Sequence, residues 1–147
     1  MHSAGRRTAL LTRWLPLAAW MLVIFLLSHQ PGDESKKTSE WVLRLFSWFG
    51  IGEPVLLRYH IPFLIRKLAH FTEYFILFLL ADRAAEGLAP PQPRWKVWLL
   101  CVLYACTDEF HQGFMPGRVP TPVDVAIDAA GAGLGWAVRG FFRRRRA

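Results

Sequence analysis

Residues 8–27, TALLTRWLPLAAWMLVIFLL, form an apolar stretch long enough to cross a lipid bilayer as a helix. A spanning helix needs about 20 mostly apolar residues, because its backbone polar groups must be satisfied internally in hydrocarbon. Arg6, Arg7 and Arg13 precede the apolar run, as they would in a secretory signal, but residues 28–31 offer no small-residue cleavage site. The stretch therefore predicts a retained first membrane span.

Three further stretches of about this length follow, and each carries charged residues near one end. They cover residues 61–81, 95–112 and 123–141. Pro62 suits the first turn of the second helix, and Thr121 suits the N-cap of the fourth. The chain of 147 residues fits one domain, which is predicted to extend over its whole length.

A different pattern separates the first two spans. In residues 33–50, charged side chains alternate with tryptophan, phenylalanine and aliphatic side chains. This composition favours an amphipathic helix that lies in the membrane interface. The predicted fold is all-α: a four-helix transmembrane bundle with an interfacial amphipathic helix between spans one and two.

Composition supports a membrane protein and excludes several other classes. Hydrophobic residues make up 53% of the chain, and the net charge is +7. The basic residues border the apolar stretches, as in the run 143–146, and no nucleic-acid-binding motif is present, so no nucleic-acid partner is expected. Cys101 and Cys106 have neither a redox nor a zinc spacing and are interpreted as packing residues.

The distribution of Lys and Arg predicts the orientation of the spans. Basic residues lie before span one, between spans two and three, and after span four. With four spans these regions share one side, which the positive-inside rule places in the cytoplasm together with both termini. The outer side also holds basic residues, namely Lys36, Lys37, Arg44 and Arg58, so the bias is incomplete.

This orientation brings polar residues of all four spans to the outer leaflet. His70 and Glu73 share one helical face, as do Asp108 and His111, whereas Glu109 points about 100° away from its neighbour Asp108. On span four the shared face holds Asp124, Asp128, Gly131 and Gly135. The two glycines allow another helix to approach closely, either within the bundle or between two chains.

A convergent set of histidines and carboxylates admits several chemistries. As general acids or bases, the candidate catalytic residues are Glu73, His70, Asp108, His111 and Asp124. As ligands of a divalent metal, the candidates are His70, Glu73, Asp108 and His111. Lys67 and Arg118 suit an anionic head group. A purely structural network, in which Arg66 and Lys67 neutralise Glu73 and Asp108, is the alternative.

The motifs that carry these residues resemble the VanZ-like family. The resemblance rests on KLAHFTEY at 67–74, TDEFHQ at 107–112, PGR at 116–118 and VDV at 123–125, in that order. It implies polar functional positions at Lys67, His70, Glu73, Asp108, Glu109, His111, Gln112, Arg118 and Asp124. Gln112 and Glu109 thereby join the expected substrate-binding residues. Asp128 departs from the family pattern, which commonly has asparagine there.

The resemblance implies a multi-pass protein of the bacterial plasma membrane, associated with resistance to the glycopeptide teicoplanin. A lipid or lipid-linked envelope precursor is the expected partner, bound and conceivably processed by an acid–base or metal-assisted hydrolase or transferase. A non-catalytic partner protein is the alternative, and a small lipid transporter is a third reading that a polar path confined to one leaflet disfavours. The cofactor, a divalent metal or none, and the oligomeric state stay open.

Overall fold

A computed structural model of the protein describes residues 2–31, 41, 44, 48, 55–88, 90 and 92–145. The described residues form four α-helices, and none of them lies in a β-strand. The helices are α1 (His2–Ser28), α2 (Val55–Ala85), α3 (Arg94–Gln112) and α4 (Pro122–Arg144). The predicted all-α class and the order of the four helices are therefore confirmed.

Helices α3 and α4 begin and end within a few residues of the predicted spans, whereas α1 and α2 each begin six residues earlier than predicted. Thr121 caps α4, because its Oγ1 accepts a hydrogen bond from the backbone N–H of Asp124 at 3.3 Å. The placement of Pro62 in a first turn is wrong, since α2 begins at Val55. A proline inside a helix removes one backbone hydrogen bond, and the helix continues where neighbouring turns supply the rest.

Helix α2 is the centre of the bundle, because it packs against each of the other three helices and most extensively against α4. The fully buried apolar side chains include Ile24 of α1, Tyr74 and Phe78 of α2, Ala105 of α3 and Ala132 of α4. Trp20 of α1 donates from Nε1 to the carbonyl oxygen of Glu73 at 2.9 Å. This arrangement holds the middle of α2 in a fixed position among its neighbours.

Two glycines on α4 make its contact with α2 unusually close. A Cβ atom built on Gly131 would lie 2.2 Å from the carbonyl oxygen of Phe71, and one built on Gly135 would lie 3.1 Å from that of Phe75. Both distances are to helix backbone, which cannot rotate away as a side chain can. The glycine face of α4 therefore packs within the bundle, which answers the question that the sequence left open.

A network of ion pairs ties together the end of the bundle where α2 and α4 finish and α3 begins. We call it the arginine end, and it comprises Asp82, Glu86, Arg94, Arg139 and Arg143. Asp82 is buried and lies 3.4 Å from Nε of Arg94 and 3.1 Å from Nε of Arg139. Glu86 accepts from Arg139 and Arg143, each at 3.0 Å. The sequence reasoning did not predict this network.

The distribution of apolar side chains is inverted relative to a water-soluble protein. Several carboxylates are buried, whereas many large apolar side chains are exposed, with Leu15 at 66% and Leu100 at 65%. By length and composition, one described helix segment, Leu11–Ser28, qualifies as a membrane span. No other helix among the described residues meets the same criterion, so the four-span bundle stays a prediction.

The predicted interfacial helix at residues 33–50 lies outside the described residues, apart from Trp41, Arg44 and Trp48. Those three residues have helical backbone. The side chains of Trp41 and Trp48 are exposed, at 63% and 90%.

Candidate functional site

Two polar pairs connect α2 and α4 at the end opposite the arginine end. Lys67 forms an ion pair with Asp124, and both side chains are about nine-tenths buried. One helical turn further along, Nδ1 of His70 lies 3.4 Å from Oδ1 of Asp128, whose side chain is 1% exposed. Lys67 therefore neutralises Asp124, and the expected neutralisation of Glu73 or Asp108 by Lys67 is wrong.

Helices α1 and α3 contribute through Gln112. Its Nε2 donates to Oδ2 of Asp108 at 3.1 Å and to Oγ of Ser28 at 3.3 Å. Its Oε1 accepts from Nη1 of Arg118 at 2.7 Å. A side-chain amide has both a donor and an acceptor group, so Gln112 can donate to the carboxylate of Asp108 and accept from the guanidinium of Arg118 at once.

Arg118 lies in the loop between α3 and α4 and reaches back to the end of α1. It donates from Nε to the carbonyl oxygen of Gln30 at 3.2 Å and from Nη2 to that of Leu27 at 3.5 Å. With its bond to Gln112, three of its five N–H groups have partners among the described residues, and the other two have none there. Burial lowers the pKa of Arg118, but an arginine pKa is high enough that the group stays charged.

The two glutamates occupy different positions around this centre. Glu73 lies on α2 one turn beyond His70 and within electrostatic range of Asp108, Asp128 and Arg118. Glu109 faces the start of α4, where its Oε1 accepts a hydrogen bond from the backbone N–H of Thr121. Glu109 therefore points away from Asp108, as predicted, and makes a separate contact with Thr121 at the start of α4.

His111 lies at the edge of this centre. Its Nε2 is 3.2 Å from Nδ1 of His29, which is exposed. The two imidazoles stack on each other with ring centroids 5.4 Å apart, and the ring of Phe25 stacks on that of His111 at 4.9 Å. His111 therefore pairs with the histidine directly after α1, a partner that the sequence reasoning did not assign to it.

These residues form what we call the polar cluster. It consists of Lys67, His70, Glu73, Asp108, Glu109, Gln112, Arg118, Asp124 and Asp128, with His111 at its edge. It draws on α2, α3, α4 and the loop before α4, and Ser28 attaches it to α1. The convergence of polar groups from all four helices at one end of the bundle agrees with the sequence prediction.

Several buried polar atoms of this region have no hydrogen-bond partner among the residues that the structure describes. They are Nδ1 of His70, Oη of Tyr74, Oε2 of Glu109, and both Oδ1 and Oδ2 of Asp128. Buried polar atoms nearly always have partners, because an unpaired one costs about 1–3 kcal/mol. The carboxylate oxygens among them are acceptors, so this part of the cluster is short of donors or cations.

Of the four predicted metal ligands, the structure brings two together. Ligand atoms of His70, Asp108 and Asp128 lie within 4.8 Å of one another, and all three residues are buried. Glu73 and His111 are not in this group. Asp128, which the sequence reasoning placed on the face of Asp124 but did not count among the metal ligands, takes their place.

The order and spacing of these residues match a known family over most of the chain. The model of the VanZ/LLP1 family matches residues 13–143. The chain belongs to the VanZ/LLP1 family. No curated protein and no solved structure shows significant similarity to the chain. The VanZ/LLP1 match includes all four helices and every residue of the polar cluster, and it is consistent with a membrane protein.

Three contributors to the site were given no specific role from sequence in this VanZ/LLP1 protein. Ser28 was expected only among the polar residues that end span one at the outer leaflet, and nothing in the local pattern marks Tyr74 as a polar partner. Asp128 was detectable, since it lies one turn after Asp124 on the glycine face of α4. A carboxylate on the face that makes the closest helix contact must be buried against α2.

Proposed function

We propose that this chain is a multi-pass protein of the bacterial plasma membrane that binds an anionic lipid-linked substrate at the outer leaflet. The observation that carries the proposal is the polar cluster itself. Its charged residues are buried at one end of a bundle whose exterior is apolar, and several of their polar atoms lack partners. Charged groups at membrane depth are costly, so they are retained where they pair or act on a ligand.

Helix length supports four spans. At 1.5 Å per residue, α2, α3 and α4 are about 46, 28 and 34 Å long, close to or above the roughly 30 Å of bilayer hydrocarbon. Many of their charged residues belong to the polar cluster or to the arginine end, and Asp82, Asp108, Glu109, Asp124 and Asp128 are buried. Trp95 and Trp136 are exposed near the arginine end, as expected for side chains at a membrane interface. We place the arginine end, with both termini, in the cytoplasm.

Cysteine labelling tests this topology. In a variant whose two native cysteines are replaced by serine, Val119→Cys should react with a membrane-impermeant maleimide in intact cells. Arg145→Cys should react only after the cells are permeabilised. Both positions are exposed, with Val119 at 80%, so accessibility from the protein side does not limit either reaction.

A detergent-solubilised sample labelled at both positions is the control for intrinsic reactivity. Labelling of Arg145→Cys in intact cells, or protection of Val119→Cys until permeabilisation, would contradict the assigned orientation. Labelling of both variants in intact cells would contradict a single membrane span between the two positions.

The expected substrate follows from the cations of the cluster. Lys67 and Arg118 lie at the same end, and Arg118 keeps two N–H groups that can grip a phosphate oxygen. A lipid phosphate or diphosphate at the outer leaflet would present its charge at this depth. Glu73 or His111 would transfer a proton in any chemical step, and Asp108 would orient a histidine.

A non-catalytic role is the second candidate, and the ion pairs favour it. Lys67 already pairs with Asp124, and Gln112 has a partner for each of its polar atoms. A network of this kind can order the bundle without binding a substrate. Under this candidate, conservative changes at Glu73 or Asp108 reduce folding in detergent but spare function per folded molecule.

The cellular test is teicoplanin susceptibility. A sensitive host that produces the wild-type chain is expected to survive more teicoplanin than a host with an empty vector. Glu73→Gln and Asp108→Asn, compared at equal abundance in the membrane, are expected to return the host to the empty-vector level. Each change removes one charge and keeps the shape of the side chain.

Glu86→Gln is the matched control, because it makes the same chemical change at the arginine end. Full protection by Glu73→Gln and Asp108→Asn would show that the polar cluster is structural. Absence of protection by the wild type would show that the proposed resistance role does not apply to this chain.

A further inference from the structure

We propose that His70, Asp108 and Asp128 bind one divalent metal ion of the Zn²⁺ or Mn²⁺ class. The three residues come from three helices, α2, α3 and α4, and their ligand atoms lie within 4.8 Å of one another. Ligands 2.0–2.2 Å from a common ion are separated from each other by about 3–4 Å in tetrahedral or octahedral geometry. Small side-chain rotations are sufficient to close the difference.

The partnerless atoms at the site point to a cation. Nδ1 of His70 and Oδ1 of Asp128 lie 3.4 Å apart as an ion pair, but among the described residues neither atom, nor Oδ2 of Asp128, makes a hydrogen bond, and Asp128 is fully buried. A buried carboxylate without a partner is among the least favourable groups in a protein interior. One metal ion can bind the two carboxylate oxygens of Asp128 and the imidazole nitrogen of His70 together, whereas no described side chain reaches all three atoms.

Charge balance supports the same conclusion. The cluster contains five carboxylates, those of Glu73, Asp108, Glu109, Asp124 and Asp128. Among the residues that the structure describes, the permanent cations in electrostatic contact with it are Arg66, Lys67 and Arg118. This leaves an excess of two negative charges, which is the charge that one divalent ion neutralises. Two bound protons are the competing way to balance it.

Ligand chemistry restricts the choice of ion. An imidazole nitrogen beside two carboxylates suits Zn²⁺ or Mn²⁺ better than Ca²⁺ or Mg²⁺, which prefer oxygen ligands. Three protein ligands also leave at least one position open. The metal site is inferred from the arrangement of its ligands and does not depend on the proposed function. Binding of a phosphate oxygen of the lipid substrate at the open position does depend on the proposed function above.

Metal content of the purified protein tests the proposal. Wild-type protein purified in detergent from medium containing Zn²⁺ and Mn²⁺ is expected to retain about one equivalent of one of these ions by mass spectrometry of the elements. Mutation of a residue that hydrogen-bonds to a metal ligand lowers metal affinity by about 10–100-fold. Removal of a ligand itself should lower the affinity at least as much. Asp128→Asn and His70→Gln should therefore each lower the affinity by about 100-fold or more.

Glu86→Gln, at the other end of the bundle, is the control and should bind metal as the wild type does. A Zn²⁺ or Mn²⁺ titration of chelator-treated protein provides the affinity directly, and thermal melting confirms that each variant is folded. Folded wild type that takes up neither ion, or folded Asp128→Asn and His70→Gln that bind as tightly as the wild type, would overturn the metal site. Lipid binding that persists in chelator would leave the proposed function standing without the metal.

Discussion

Gly131→Ala is expected to destabilise the bundle by about 2–3 kcal/mol, in the upper part of the range for overpacked sites. The new Cβ would lie 2.2 Å from the carbonyl oxygen of Phe71, so α2 and α4 would have to separate. Alanine is the better helix former by about 1 kcal/mol, which offsets only part of this cost. The same separation would pull His70 away from Asp128 and Lys67 away from Asp124.

Thermal melting in detergent measures this effect, and Gly133→Ala is the matched control. Gly133 lies on the same helix, but its new Cβ would come no closer than 3.7 Å to Nε1 of Trp98, which is ordinary contact. Gly133→Ala should melt at or slightly above the wild-type temperature. Equal melting of Gly131→Ala and Gly133→Ala would contradict the close packing of α4 on α2.

Helical periodicity explains why much of the site could be predicted from the sequence. Residues three or four apart share a face, so His70 with Glu73, and Asp124 with Asp128, could be grouped without a structure. The alternating direction of four helices then brings the start of α4 beside the end of α3. The structure confirms this convergence through the contacts of Gln112 with Ser28, Asp108 and Arg118.

The choice of partner within the cluster could not be predicted in this way. Periodicity says which face a side chain occupies, but pairing depends on the distance and rotation between helices. Lys67 pairs with Asp124 because the glycine face of α4 lets the two helices approach, and that contact also buries Asp128. Asp82 was missed for the same reason, since Arg94 and Arg139 lie far from it in sequence.

The two ends of the bundle differ in how completely their charges are satisfied. At the arginine end, Asp82 and Glu86 each have arginine partners at 3.0–3.4 Å. In the polar cluster, Asp128 and one oxygen of Glu109 are buried without hydrogen-bond partners. A network that only stabilises the fold requires a partner for each buried charged group. A binding site, in contrast, keeps some of these groups without protein partners, so that they can contact the ligand. This contrast favours the polar cluster over the arginine end as the functional site.

Loss of lipid binding in Arg118→Gln is the second large effect that we expect. Charge-assisted hydrogen bonds contribute about 1.5–3 kcal/mol, so removing the guanidinium should weaken binding of a phosphorylated lipid by roughly 10–100-fold. Arg143→Gln is the matched control, because it removes an exposed arginine from the opposite end. Both variants are compared with wild type after melting has shown that they are folded, since Arg118 also holds the carbonyl groups of Leu27 and Gln30.

The measurement that tests the central claim most directly is the affinity of the purified protein, in lipid nanodiscs, for a long-chain polyprenyl diphosphate and for the uncharged polyprenol. The account predicts that wild type and Arg143→Gln prefer the diphosphate and that Arg118→Gln loses that preference. Equal binding of the two lipids by wild type, or an unchanged preference in folded Arg118→Gln, would contradict the claim that the polar cluster receives a lipid-linked anion.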